Sequence, residues 1–217
     1  MSLDPGPADG GTLYEAILDD VAAGRIVGGQ RLKVSDLARR FGVSASPVRE
    51  TLRQMQGEGF VEILPNRGAV LKRADAGTVQ NTLEVLRLLE PYFVSWFAES
   101  AEPAAIDRLQ DMQDRLAAAA ADAAAFRRLD TEFHGLICRH HYNDIASDSW
   151  VKLRRALNVH AAPLKIGPAR IQAILREHDA LIAAFRDGDA ARADAVIREH
   201  IEGSFVNLSQ QMRALRP

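Results

Sequence analysis

The sequence predicts a mainly α-helical chain in two parts, a small N-terminal domain with one β-hairpin and a larger all-α C-terminal bundle of six helices. Three observations carry this. Apolar residues recur at helical spacing through most of the 217 residues. Two β-rich runs, in "FVEILPNRGAVLK" at 60–72, flank a Pro, Asn and Gly turn. Basic charge is concentrated: residues 31–73 hold nine Lys and Arg against four acids, in a chain of formal net charge −2. With 47% apolar residues, the chain can bury a sizeable core.

Taken in order, residues 1–11, "MSLDPGPADGG", have no periodicity and are expected to be a disordered tail. The N-terminal domain is expected over 12–73. In "TLYEAILDDVAAG", Leu13, Ile17, Leu18 and Val21 give a helix that Gly24 stops. A short extended piece around "GGQRLKV" precedes "SDLARRFG", a brief helix with Ser35 as cap and Leu37, Ala38 and Phe41 facing inward. Gly42 then turns the chain into a third helix that runs to about Gly57 and buries Val48, Leu52 and Met55. Helix, helix, tight turn, helix and hairpin, in that order, form the outline of a winged helix-turn-helix with a small β-hairpin wing. From residue 76 there is no strand signal. Helices are expected near 76–100, 103–121, 123–140, 145–161, 170–187 and 189–212, broken at Pro103, Asp122, Asn143, Gly167-Pro168 and the "DGD" at 187–189.

Composition excludes several classes. No apolar run reaches the roughly 18–20 residues of a membrane span, and the N-terminus has neither a basic nor a hydrophobic signal region. A cytoplasmic protein without a membrane partner is expected. The single Cys138 excludes an internal disulfide framework and a multi-cysteine zinc site. Any metal must therefore be held by His and carboxylate.

In the basic segment, "GVSASPVRETL" opens the third helix with small residues, which allow close approach to DNA. Ser44 or Ser46 can cap it, and Pro47 falls in the first turn, where its missing N–H costs nothing. The free N–H groups of such a helix start can meet a phosphate, and the first turns of a recognition helix face base edges in the major groove. Arg49 points outward one turn into the helix, with Arg53 one turn further on the same face. Arginine pairs bidentately with guanine or holds phosphate, so Arg49 is the first choice for a base or backbone contact and Arg53 for a phosphate. The hairpin tip Asn66-Arg67-Gly68 suits a minor groove or its phosphates.

In the second part, histidines sit inside apolar stripes. His178 lies at the centre of Ile171, Ile174, Leu175, Leu181, Ile182 and Phe185, and His200 follows Ala193, Val196 and Ile197. Asp130 and His134 are spaced i, i+4 among Phe126, Leu129, Phe133 and Ile137. Taken singly, each histidine is more readily a hydrogen-bonded core residue than a metal ligand. Together, Asp130, His134, His178 and His200 form an N₃O set suited to a divalent Zn, Ni, Mn or Fe ion. His160 is a reserve ligand, while His140 and His141, at a helix end, read as solvated. Glu132 and Glu177 flank the ligand helices and are expected to project away from the stripes.

These residues carry a resemblance. "RLKVSDLARRFGVSASPVRETLRQMQGEGFVEILPNRGAVL" resembles the winged-helix domain of GntR-type bacterial transcriptional regulators, in particular the FadR-like subfamily, most specifically in "GVS..PVRETL" and "PNRGA". The match covers residues 12–73 and implies DNA contacts from Ser44, Ser46, Pro47, Arg49, Arg67 and Gly68. Family members commonly carry Arg where this chain has Ala45, and often where it has Ser35. Ala45 offers a methyl instead, which suits a thymine methyl. "LDTEFH", "EHDALIAAFRDGD" and "REHI" resemble the FCD ligand-binding domain over about 76–212. That resemblance implies a divalent metal on Asp130, His134, His178 and His200, with an organic acid effector beside it. In "EVLRLLEP" the family's arginine falls on Arg87, which would meet the effector carboxylate. The residues themselves equally allow an exposed pair of Arg87 with Glu84 or Glu90.

The function expected is therefore a homodimeric transcription factor that binds a palindromic double-stranded DNA operator under control of a small carboxylate effector. A metal-dependent hydrolase is the alternative, since open positions on the ion can activate water, but no spare inward carboxylate offers itself as the base. A metal sensor without an organic effector is the other alternative.

Overall fold

The computed structural model describes residues 12–65, 67–73 and 75–214. The expected tail at 1–11 and the wing residue Asn66 lie outside the described residues. The chain divides into two compact units between Asp75 and Ala76.

The first unit opens with α1 (Leu13–Ala22), started by a reciprocal capping box between Thr12 and Glu15. Then come β1 (Arg31–Leu32), α2 (Val34–Phe41), α3 (Ala45–Gly57), β2 (Val61–Leu64) and β3 (Gly68–Leu71). The strands form an antiparallel sheet in the order β1-β3-β2. Val61 is opposite Leu71 and Leu64 opposite Gly68, so the hairpin closes at the expected turn. Ile17, Val21, Leu37, Val48, Leu52, Met55, Phe60 and Leu71 form the core between helices and sheet.

Two local expectations are corrected. Ser35 does not cap α2: the helix starts two residues earlier, with Lys33 as N-cap, because the chain leaves β1 extended and the Lys33 carbonyl already accepts from the Asp36 and Leu37 amides. Ala38 and Phe41 are half-buried rather than interior. At α3, Ser44 takes the N-cap position without making a side-chain capping bond. Gly42 closes α2 at φ +66°, a left-handed conformation that glycine adopts without a Cβ clash.

Asp20 is 3% exposed, yet its carboxylate meets Arg25 at 2.5 Å and Arg40 at 2.6 Å, tying α1 to α2. A buried carboxylate without such partners would cost several kcal/mol.

The second unit holds six helices among the described residues: α4 (Ala76–Ser100), α5 (Pro103–Ala118), α6 (Ala123–Arg139), α7 (Asp144–Ala161), α8 (Pro168–Asp187) and α9 (Ala190–Ala214). The side chains of Asp122 and Asn143 cap α6 and α7, Gly167 precedes Pro168 at the start of α8, and Gly188 ends α8 at φ +65°. Helix α4 packs most extensively on α9 and α7, and α8 on α9. Phe93, Phe97, Phe133, Ile137, Leu181, Phe185 and Ile197 fill the space between them. No described helix is long and apolar enough to cross a membrane. The fold is mainly α, a winged helix-turn-helix unit followed by an all-α unit.

Candidate functional site

In the first unit, a cleft between α3 and the hairpin is lined by Arg31, Lys33, Arg49, Arg53 and Arg67, with no carboxylate among the described residues of its wall. Five cations facing one cleft make a surface for a polyanion. Arg49, Arg53, Arg67 and Gly68 are brought together here, whereas Ser44, Ala45, Ser46 and Pro47 lie on the first turn of α3 outside the cleft wall. Ser44 and Ser46 are exposed there, and Ala45 and Pro47 half-buried.

Arg31 and Lys33 were counted in the basic segment but not singled out. Arg31 Nε donates to the Arg67 carbonyl at 2.7 Å, which fixes the hairpin tip against β1. Gly68 has φ +87°, and a Cβ there would overlap the Leu32 carbonyl oxygen. Gly68→Ala is therefore expected to cost about 2 kcal/mol or more of unfolding free energy, read by denaturant titration, because the close β1–β3 approach and the left-handed φ both oppose a side chain.

In the second unit, Asp130 and His134 on α6, His178 on α8 and His200 on α9 each bring one potential ligand atom within 4.8 Å of the others. The three histidines are 3%, 0% and 3% exposed. Asp130 Oδ1 lies 3.9 Å from His134 Nε2 and 3.7 Å from His178 Nε2. These three atoms are buried without a hydrogen-bond partner. Buried polar atoms normally have one, so a convergent set of lone pairs fits a cation.

The outer nitrogens explain the orientation. His200 Nδ1 meets Glu177 Oε2 at 2.8 Å, His178 Nδ1 meets Gln113 Oε1 at 3.3 Å, and His134 Nδ1 lies 3.8 Å from Glu90 Oε2. For His200 and His178 an acceptor at Nδ1 keeps the proton there and leaves Nε2 with a free lone pair, whereas Glu90 is beyond hydrogen-bond reach of His134. The His178 ring also stacks flat on Phe133, with centroids 4.1 Å apart. Burial, then the nearby Arg154 and the neighbouring imidazoles, holds His134 well below the usual histidine range; burial, His200 and Arg154 do the same to His178. Both are thus neutral, the form that binds a metal. Burial alone would raise the Glu177 carboxyl, but hydrogen bonds from His200 and Arg170 overrule it and bring the group down to about 2.

Three expectations change here. Glu177 does not project away: α9 packs over its side of α8 and brings His200 onto it. Glu90 is an inward carboxylate that the sequence reading missed, 3% exposed. Its Oε1 accepts from Trp150 Nε1 at 2.9 Å and lies 3.3 Å from Arg154 Nε without a hydrogen bond to it, so the carboxylate is engaged through one oxygen by Trp150 and sits beside a cation. His141 is not solvated but buried, caged by Tyr92, Phe93, Trp96 and Tyr142, with Nδ1 accepting from the Asn143 amide at 3.0 Å. His140 is half-buried, edge-on to Phe97. Glu132 does face outward, 3.9 Å from Arg115 and 3.8 Å from Arg128. His160 is buried on α7 outside the ligand group.

A cavity of about 80 Å³ adjoins the group, with Asp130 and His200 on its wall together with Glu90, Arg127, Arg154 and Arg170. Arg87 is not on that wall. It pairs with Glu202, rather than Glu84 or Glu90, and its guanidinium lies 4.5 Å over the Phe205 ring.

Comparison with known proteins agrees with this division. Residues 10–71 match the model of the bacterial regulatory proteins of the gntR family, and residues 81–203 match that of the FCD domain. An HTH-type transcriptional regulator in an unstable DNA locus of Streptomyces ambofaciens is 26% identical over 87% of this chain and 80% of its own length. The HTH-type transcriptional regulator LutR of Bacillus subtilis is 26% identical over 82% of this chain and 91% of its own. Among solved structures, E. coli McbR/YncC superposes with a TM-score of 0.81 at 20% identity, covering 92% of this chain and 96% of that one, which shows a shared fold. A basic cleft on a winged helix and a buried histidine cluster in an FCD domain thus occur in one chain, which belongs to the GntR family of DNA-binding transcriptional regulators, in the FadR-type branch that carries an FCD domain.

Proposed function

We propose that this regulator holds a divalent metal ion on Asp130, His134, His178 and His200, and that a small carboxylate effector binding beside the ion controls its affinity for an operator. The observation that carries the reading is the convergence of buried, unpartnered Asp130 Oδ1, His134 Nε2 and His178 Nε2, with acceptors behind the imidazoles of His178 and His200. An N₃O set suits Zn, Ni, Mn or Fe, and four protein ligands on an octahedral ion leave two positions for a carboxylate. When bound, the ion supplies a Lewis-acidic anchor for that carboxylate. The protein's part is to hold the imidazoles as neutral ligands and to line the cavity.

An effector that binds one conformation better than another shifts the population towards it, and operator affinity changes by the same coupling. The cleft residues Arg49, Arg53 and Arg67, with the first turn of α3, are the proposed DNA surface. The regulator is proposed to act as a homodimer on a palindrome. Val85, Leu88, Tyr92 and Trp96 leave one apolar face of α4 exposed, and a second copy covering it would present two winged helices to two half-sites.

Chelation followed by operator titration, with and without added metal and with a panel of organic acids, tests the reading. Acid-dependent binding only in the metal-loaded protein is expected. Dependence on the metal alone would make the ion itself the signal, and indifference to both would overturn the reading. Glu177→Gln is expected to lower metal affinity by about 10- to 100-fold, read by competition with a fluorescent chelator, because an amide is a weaker acceptor for the His200 Nδ1 proton.

A further inference from the structure

We infer that the acid bound beside the metal is a dianion, a short dicarboxylate, whose second carboxylate is held by Arg154 and Arg170. This rests on the metal-dependent effector reading above and narrows the class of compound.

Two guanidinium groups on the cavity wall have donors left over. The Arg154 side chain is 11% exposed, and its Nε and Nη2 are buried without a hydrogen-bond partner. Those two N–H groups lie along one edge of the guanidinium plane, the fork that receives a carboxylate or phosphate bidentately. The carboxylates nearby do not complete it. Glu90 Oε1 lies 3.3 Å from Nε without forming a hydrogen bond with it, and Asp130 Oδ2 is 3.8 Å from Nη2.

Arg170, 10% exposed, gives Nη1 to Glu177 and Nη2 to the His200 carbonyl and Ser204 Oγ, while its Nε is buried without a partner. The fold makes room for this guanidinium: a Cβ on Gly203 would overlap Nη1. Arg127, the third cation of the wall, is already used, since it donates to the carbonyls of Ala161, Ala162 and Leu164.

Charge selects the valence of the ligand. Arg127, Arg154 and Arg170 face Glu90 and Asp130 on the wall, and Glu177 lies behind Arg170. Three cations and three anions balance, so a divalent ion adds two uncompensated positive charges to a buried site. Buried charge without a partner is strongly disfavoured. A monoanion would leave one charge over, and a dianion leaves none. The cavity of about 80 Å³ holds a few waters or a short acid. Leu83, Leu157 and Ile201 on the same wall suit its carbon chain.

The test is calorimetric titration of the metal-loaded protein with matched pairs: lactate and malate, butyrate and succinate. In at least one pair the dianion is expected to bind about tenfold or more tightly than its monoanion, and that gap is expected to shrink to within about threefold in Arg154→Gln. Arg154→Lys keeps the charge without the fork, and replaces Arg154→Gln should that variant not fold. Equal affinities in every pair, or a gap that survives both Arg154→Gln and Arg170→Gln, would overturn the dianion while leaving a carboxylate effector standing. No binding by any member, with or without metal, would overturn both.

Discussion

Replacing His178 by alanine is expected to remove stoichiometric metal from the protein, with a loss of affinity above about a hundredfold, since even residues behind the ligands are worth 10- to 100-fold. His178 is fully buried, its Nε2 has no hydrogen-bond partner, and its Nδ1 is held by Gln113. Elemental analysis of the purified variant reads the result, and full occupancy would sink the ligand assignment. The substitution also empties the space against Phe133, a packing loss on the order of 2–5 kcal/mol. Melting curves taken with and without chelator separate the two effects. Loss of packing lowers the melting temperature in both, whereas loss of the ion abolishes the difference between them.

Arg49→Ala is expected to cost about 1–3 kcal/mol of operator affinity, measured by fluorescence anisotropy at fixed salt. Arg49 is exposed on α3 and faces the basic cleft. If it reads a base edge, binding to random DNA weakens far less than binding to operator. Equal weakening on both would make it a phosphate contact. Arg53→Ala serves as the comparison, since a phosphate contact weakens all sequences alike and reduces the salt slope by about one.

Much of this molecule was legible because local rules and global packing agree. Gly42, the hairpin turn and the caps at Asp122, Asn143 and Gly188 each declare a boundary through backbone chemistry that acts over a few residues. The four candidate ligands stood out because each interrupts an apolar stripe with a group that needs a partner. What surrounds them was less legible. Stripe reading assigns one inward face per helix, yet Glu177 is inward only because α9 lies over the flank of α8, and Arg87 is drawn to Glu202 by the same neighbour. Glu90 sits one turn after Leu86 on the buried side of α4, so its position was visible in the spacing, but Trp150 and Arg154, which make its burial tolerable, are about sixty residues away. His141 went wrong for the same reason: the aromatic cage around it comes largely from α4.

Gly68 limits how this protein can change its target. It sits at the root of the hairpin, where the Leu32 carbonyl admits only a hydrogen, while Pro65 and Arg67 beyond it are exposed. Drift among descendants, or replacement by an engineer, can therefore rewrite the chemistry of the tip as a cassette while its mounting stays fixed. On the proposed DNA surface, substitution of the exposed Pro65 or Arg67 leaves that mounting intact, whereas loss of the glycine disturbs it first.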